Sequence, residues 1–277
     1  MVMSMLFGLL FTTGLIDMDT YVKEHNIVKV RDVHREILEL YGLDASKYEK
    51  ESSRKLKILR IYEMIPSNLE NKKKRVIVKN IEQTAGHKQF SDYSDEFDYL
   101  VNSGVALSVQ AISNPKFPLK ESESKNLIKL YLSDVGILTD LLYRTNINAV
   151  LGDERSVNLG SVYESVVAQE LHAHGFTLHY YDNKQRGEVD FLIDDYDNLT
   201  VLPIEVKSGK DYKVHSALDA FLDTPDYHIK NAIVLSNEQN VHKEHGITYL
   251  PVYYVMFLKQ DNTPEEDLVI PNPTLQA

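Results

Sequence analysis

The sequence has no cysteine and no tryptophan among its 277 residues. The first absence excludes a disulfide framework, a thiolate zinc site and a cysteine nucleophile, and it fits a reducing compartment. Glycine (12) and proline (9) are sparse, which excludes collagen-like and low-complexity classes. A membrane span needs about 20 apolar residues. The apolar stretch at 1–16 (MVMSMLFGLLFTTGLI) falls short of that length. It also lacks the basic start of a secretory signal, the first lysine being Lys23. It reads as a buried helix, or as an interface whose partner lies elsewhere. No phosphate-binding loop G-x-x-x-x-G-K-[ST] is present: the single Gly-Lys pair, Gly209-Lys210, is followed by Asp211, and Ile204 stands where the first glycine belongs.

What is there is an ordinary globular composition, 43% hydrophobic and 26% charged, in a chain long enough for more than one domain. The charge is uneven. Residues 151–277 hold 21 acidic and 9 basic residues, net −12, whereas residues 1–150 hold 20 acidic and 21 basic, net +1. The basic part is concentrated at 47–79. An acidic surface repels a phosphate backbone, so wholesale nucleic-acid binding by the second half is disfavoured.

The pattern of apolar residues divides the chain in the same place. Residues 28–41 repeat at helical spacing through Val30, Val33, Ile37, Leu38 and Tyr41. Residues 52–65 do so through Leu56, Leu59, Ile61, Tyr62 and Ile65, and Pro66 is expected to stop that helix. The segment 75–82 is short and β-like, 92–103 is helical up to Gly104, and VALSVQAI is a strand followed by a turn with Pro115 and Pro118. Helices followed by a strand pair with a lysine-bearing loop suggest a winged-helix-like unit. After residue 150 the rhythm becomes α-β-β-β-α-β: a helix at 158–174, strands at 176–182, 187–193 and 200–207, a helix at 212–223 and a strand at 231–236. The expected fold class is α/β, α+β overall. The expected units are a helical connecting region (1–54), the winged-helix-like domain (55–150), an α/β domain (151–260) and a tail (261–277).

The chemistry concentrates in GEVDFLIDDYDNLTVLPIEVKSG. Alternation along a strand puts Glu188, Asp190 and Leu192 on one face and Val189, Phe191 and Ile193 on the other. In the next strand Glu205 and Lys207 share a face, opposite Leu202, Ile204 and Val206. If the two strands pair as a hairpin, Asp190 and Glu205 become neighbours. Two carboxylates that close need a cation. Mg²⁺, held by one or two carboxylates, satisfies that need and can activate water for attack on a phosphodiester. Lys207 is placed to orient that water or to stabilise developing charge. Glu164, at the edge of the apolar stripe Leu159, Val162, Tyr163, Val166, Val167 and Leu171, is the candidate third acid, and Glu170 a weaker one. Charged outer and apolar inner faces are also what any half-solvated sheet shows, so a purely structural reading of these acids stays open.

Glu164 on a helix, then Asp190, then Glu205-Val206-Lys207 resembles the PD-(D/E)XK nuclease superfamily, with Val189 where that motif usually has proline. A wider resemblance runs through IPSNLENKKKRVIVKNI (65–81), KFPL (116–119), LIKLYLSDVGIL (127–138), GSVYESVVAQEL (160–171), GEVDFLI and PIEVKSG. These segments, with VHREILELYGLDASKYEK at 33–50, are similar to a prokaryotic AAA+-type ATP-binding protein family, over roughly residues 25–260. In that family a domain of unknown function with a nuclease-like core follows the ATPase module. Here the phosphate-binding loop is missing, so the resemblance is to the C-terminal part alone. It implies a cytoplasmic, DNA-associated protein with an ATPase module or another protein as partner. It further implies Mg²⁺ on Asp190, Glu205 and Glu164, with Lys207 catalytic. An inactive nuclease-like scaffold that docks on DNA or protein is the other reading, and no membrane partner is expected.

Basic residues offer phosphate contacts at Arg54, Lys55, Lys57, Lys72, Lys73, Lys74 and Arg75, although a charge run is more often a solvated face. The apolar run LIKLYLSD reads as core packing. The histidine pairs His172/His174 and His242/His245 have no third ligand in reach of the pattern, so no metal is assigned to them.

Overall fold

The computed structural model describes residues 23, 25–48, 52–82, 88–143, 158–183, 186–209 and 211–260. The apolar stretch at 1–16 and the tail at 261–277 lie outside these residues.

Three helices open the described chain: α1 (Ile27–Tyr48), α2 (Ser52–Glu70) and α3 (Ser94–Asn102). Strands β1 (Ala106–Ile112) and β2 (Glu123–Leu132), then helix α4 (Val135–Tyr143), complete this part. Helix α5 (Gly160–Ala173) leads into β3 (His179–Asn183), β4 (Gly187–Asp195) and β5 (Thr200–Lys207). Helix α6 (Ser216–Leu222), β6 (Ala232–Ser236), β7 (His242–Glu244) and β8 (Ile247–Pro251) follow. All eight strands form one mixed sheet in the order β2-β1-β3-β4-β5-β6-β8-β7. Neighbours β3, β4 and β5 are antiparallel, and β6 runs parallel to β5.

The expected winged-helix-like unit at 55–150 does not close on itself. Its hairpin β1–β2 is the edge of the common sheet, because β1 pairs in parallel with β3 through Gln110↔His179, Ala111↔Tyr180 and Ile112↔Tyr181. Val109, Leu130, Ile61 and Phe97 from this part share one core with Val162, Val166, Phe191 and Ile204 from the next. Burying apolar surface in a shared core removes more of it from water than two small separate cores can. The opposite face of the sheet carries a smaller core, built by Leu218 and Phe221 of α6 on Val189, Leu192 and Val234. Strand β6 is buried along its length (AIVLS), as suits a central position covered on both faces.

Two local expectations change. Helix α2 runs through Pro66 to Glu70 instead of ending there. Ile65 and Leu69, on either side of the proline, are both buried, and that packing outweighs one lost helical N–H. The buried stripe of α2 is Ile58, Ile61, Tyr62, Ile65 and Leu69, while Leu56 is exposed. The β-like segment 75–82 makes only a bridge, Arg75 to Lys129, with the Val76 N–H donating to the Ile128 carbonyl at 2.9 Å. It then turns into a 3₁₀ turn at Val78–Asn80. This short addition covers the outer edge of β2. At the other edge, β7 and β8 are joined by His245 (φ 48°) and Gly246 (φ 82°). A two-residue hairpin turn of this hand requires positive φ at both positions.

Candidate functional site

Strand β4 delivers its acid through an irregularity. Its pairing with β3 matches His179 with Leu192 but Tyr181 with Val189. Between these pairs β3 has Tyr180 alone and β4 has Asp190 and Phe191, a β-bulge. Strict alternation therefore fails here. Val189 and Leu192 enter the smaller core, while Phe191 and Ile193 enter the larger. Asp190, at the bulge, uses its carboxylate to accept the Val206 backbone N–H at 2.9 Å. Pairing with β5 is regular up to Phe191 facing Ile204, and just beyond it Asp190 lies beside Glu205, on which its charge acts.

The other groups come from three directions. Glu164, buried on α5, forms an ion pair with Lys74 and accepts from the Tyr131 hydroxyl at 3.3 Å. Glu205 is buried; its Oε1 accepts from Lys207 Nζ at 2.7 Å, and its Oε2 has no hydrogen-bond partner. Lys129, 1% exposed on β2, pairs with Glu188 and lies over the Tyr180 ring, 4.6 Å from its centroid. Four carboxylates (Glu164, Glu188, Asp190, Glu205) thus meet three ammonium groups (Lys74, Lys129, Lys207) in a largely dry place.

The electrostatics follow from that crowding. Burial, then the Asp190 charge, push Glu205 up to about 8. Burial and Asp190 also raise Glu164, against the opposing pull of Lys74 and Lys129. For all three lysines burial works downward, but the acids outweigh it: Glu164 first for Lys74 and Lys129, Glu205 first for Lys207. Each net shift is upward. Burial and the Glu164 charge lift the Tyr131 hydroxyl well above its ordinary range, so it stays a donor.

Asp190, Glu205, Lys207 and Glu164 are therefore brought to one neighbourhood, but they do not form a ring of ligands. Among the described residues no three acidic or histidine side chains converge closely enough to hold a metal ion. Lys74 stands on Glu164. The donor set still fits a cation held by one or two carboxylates, because Glu205 Oε2 is buried, partnerless and next to a second acid.

The basic run turns inward. Lys73 and Arg75 both reach Asp182, at 3.1 and 3.7 Å, and Lys74 takes Glu164. Lys72 is exposed and Lys55 half-buried. Arg54 lies 3.9 Å from Asp95, and Lys57 lies over the Tyr93 ring. Glu170 is away from the cluster, 3.9 Å from His174. His174 contacts the Leu258 carbonyl, and His242 stacks on Tyr249.

Sequence reasoning missed Lys129, Tyr131 and Glu188. A signal existed: a lysine inside the doubly apolar run NLIKLYL has no solvated face to turn to, so it needs a buried acid. A cavity of about 510 Å³ lined by Phe176, Asp194, Tyr196, Leu202 and Phe257 opens at the β4–β5 turn, the opposite end of these strands.

The fold and site define an α/β protein with a buried carboxylate–lysine centre at the divergent end of two antiparallel strands. Residues 159–255, which hold the acids, match the model of a domain of unknown function, DUF4143. Residues 18–148, which hold Lys74 and Lys129, match a second, DUF8612. No curated protein and no solved structure matches the chain.

Proposed function

We propose that the chain is the C-terminal region of an AAA+-type ATP-binding protein, working on DNA in the cytoplasm, and that its PD-(D/E)XK-like centre is a Mg²⁺-dependent phosphodiesterase site. The observation that carries this is the place of Asp190 beside Glu205, its carboxylate on the Val206 N–H and its charge on Glu205, with Glu205 Oε2 buried without a partner. Support for the ATPase connection comes from the matched domain at 159–255, which commonly follows AAA ATPase-like modules. No helix among the described residues is long and apolar enough to cross a membrane.

In this reading Asp190 and Glu205 would hold the cation, aided by Glu164. When bound, it supplies Lewis-acid charge and a lowered water pKa. Lys207, hydrogen-bonded to Glu205, orients the attacking water or offsets charge on the phosphoryl oxygens. Asp190 is fixed by the Val206 N–H, which keeps its carboxylate at the centre. Incubation of the full chain with double- and single-stranded DNA in Mg²⁺ or Mn²⁺ tests the reading. Cleavage abolished in Asp190→Asn and Lys207→Ala supports it, whereas cleavage that survives both substitutions refutes the assignment.

A second reading, an inactive nuclease-like scaffold that docks DNA or an ATPase partner, is favoured by one observation. The ammonium of Lys74 already neutralises Glu164. Salt-dependent DNA affinity with no cleavage in either metal selects it.

A further inference from the structure

We infer that Lys74 is a built-in counter-cation that competes with a divalent ion for the site, and that the strap 73–75 is the gate it belongs to. The inference rests on the metal-site reading above and concerns its regulation. Three observations converge on it.

First, successive side chains of the strap are fastened on two different elements. Lys73 and Arg75 share Asp182 on β3, while Lys74 between them reaches the other way, to Glu164 on α5. Second, the backbone of the strap is lightly held: the Val76 N–H donates to the Ile128 carbonyl at the bridge from Arg75 to Lys129, and the Val76 side chain anchors the end of the strap in the core. Third, the two lysines whose charges act on Glu164 differ in access. The Lys129 side chain is 1% exposed and is locked beneath the sheet edge, whereas that of Lys74 is 21% exposed and can withdraw to water. A lysine that holds a buried carboxylate from the rim is a reversible occupant.

Glu164 pairs directly with Lys74 and feels the Lys129 charge as well. With Lys74 in place it is compensated and has little to offer a metal. With Lys74 withdrawn it loses its direct ion pair and keeps only the Tyr131 hydroxyl and the charge of Lys129 against Asp190, an under-compensated state that a divalent cation relieves. Metal binding and strap docking therefore oppose each other, and the coupling is reciprocal. Because the strap belongs to the 18–148 segment and Glu164 to the 159–255 segment, a displacement of the strap reaches the site through Lys74, while Lys129 and Tyr131 of the same segment stay in place on β2.

The experiment is calorimetric titration of the full chain with Mn²⁺. Lys74→Gln is expected to bind about tenfold more tightly than the parent. Lys74→Arg, which keeps the charge, should match the parent. Lys74→Gln combined with Glu164→Gln should lose the gain. Thermal unfolding supplies a second readout: Lys74→Gln should melt lower without metal and regain more of its midpoint with Mn²⁺ than the parent does. Asp182→Asn, which loosens the strap and leaves the site intact, should bind Mn²⁺ several-fold more tightly, and it carries the same test should Lys74→Gln not fold. Parent-like affinity in Lys74→Gln or Asp182→Asn, with binding still abolished by Glu205→Gln, overturns the gate and leaves the site standing. Absence of Mn²⁺ binding in the parent and in both variants overturns gate and site together.

Discussion

The carboxylate of Asp190 accepts the backbone N–H of Val206 at 2.9 Å, a side chain on β4 taking the place of a ladder bond to β5. The bulge at Asp190–Phe191 makes this contact available. One carboxylate thus both closes the sheet and serves the candidate site.

The two duties separate by substitution. Asp190→Ala leaves the buried Val206 N–H without an acceptor and is expected to lose about 2 kcal/mol of stability in urea unfolding. Asp190→Asn keeps an acceptor oxygen and should lose much less, while Mn²⁺ affinity falls in both. Equal destabilisation by the two variants would show that the hydrogen bond is not what matters.

Glu205 sets a pH dependence. Its ordinary value is 4.5 and the fold holds it at about 8. Between these values the folded state keeps a proton that the unfolded chain releases. Stability therefore declines as pH rises from about 4.5 to about 8 and levels off beyond, as far as this group is concerned. Glu205→Gln removes the decline, so the variant gains on the parent at pH 8 and not at pH 4.5. Saturating Mn²⁺ stabilises the ionised form and should flatten the parent's profile in the same window. Unfolding free energies across the range check both points, and a parent profile already flat there contradicts the assignment.

Much of this arrangement is legible in the residues themselves. The apolar stripe of α5, the period-two pattern of β5 and the run AIVLS are local signals, and each element stands within a few residues of its expected place. The facing of Asp190 and Glu205 followed from hairpin pairing alone. What was hidden depends on partners distant in sequence. Strict alternation in β4 gives way to a bulge because Tyr180 faces two residues, and nothing inside GEVDFLI announces that. Lys74 reads as one of four solvated bases until Glu164, 90 positions later, is placed beside it. Pro66 reads as a stop until Ile65 and Leu69 find a core.

Two glycines with similar backbones should respond differently to alanine. Gly104 (φ 74°) has open space where a Cβ would go, so Gly104→Ala meets only backbone strain and is expected to lose about 1 kcal/mol. At Gly246 (φ 82°) a Cβ would lie 2.7 Å from the Lys230 carbonyl oxygen. The segment leading into β6 must shift to admit it, next to the bond by which Ala232 N–H donates to the Gly246 carbonyl. Gly246→Ala should lose clearly more, about 3 kcal/mol when strain and overpacking combine. Urea unfolding of the two variants side by side decides the order, and a larger loss at Gly104 refutes it.

Lys129 offers the sharpest test of the charge balance. Replacing it by methionine keeps the bulk over the Tyr180 ring and removes the ammonium paired with Glu188. Glu188, Glu164 and Asp190 then face each other with less compensation. A buried pair broken on one side loses about 3 kcal/mol or more, so Lys129→Met should be strongly destabilised at pH 8. At pH 5 Glu164, which burial and the Asp190 charge already push toward the protonated form, takes up a proton more readily and the loss should shrink. That direction separates charge from packing, since a packing defect does not depend on pH. Lys129→Met with Glu188→Gln should recover part of the loss at pH 8, and the double-mutant cycle then reads a favourable coupling between the two side chains. Additive losses, or a deficit that is the same at both pH values, would mean that Lys129 is held by its methylenes and that the centre does not need its charge.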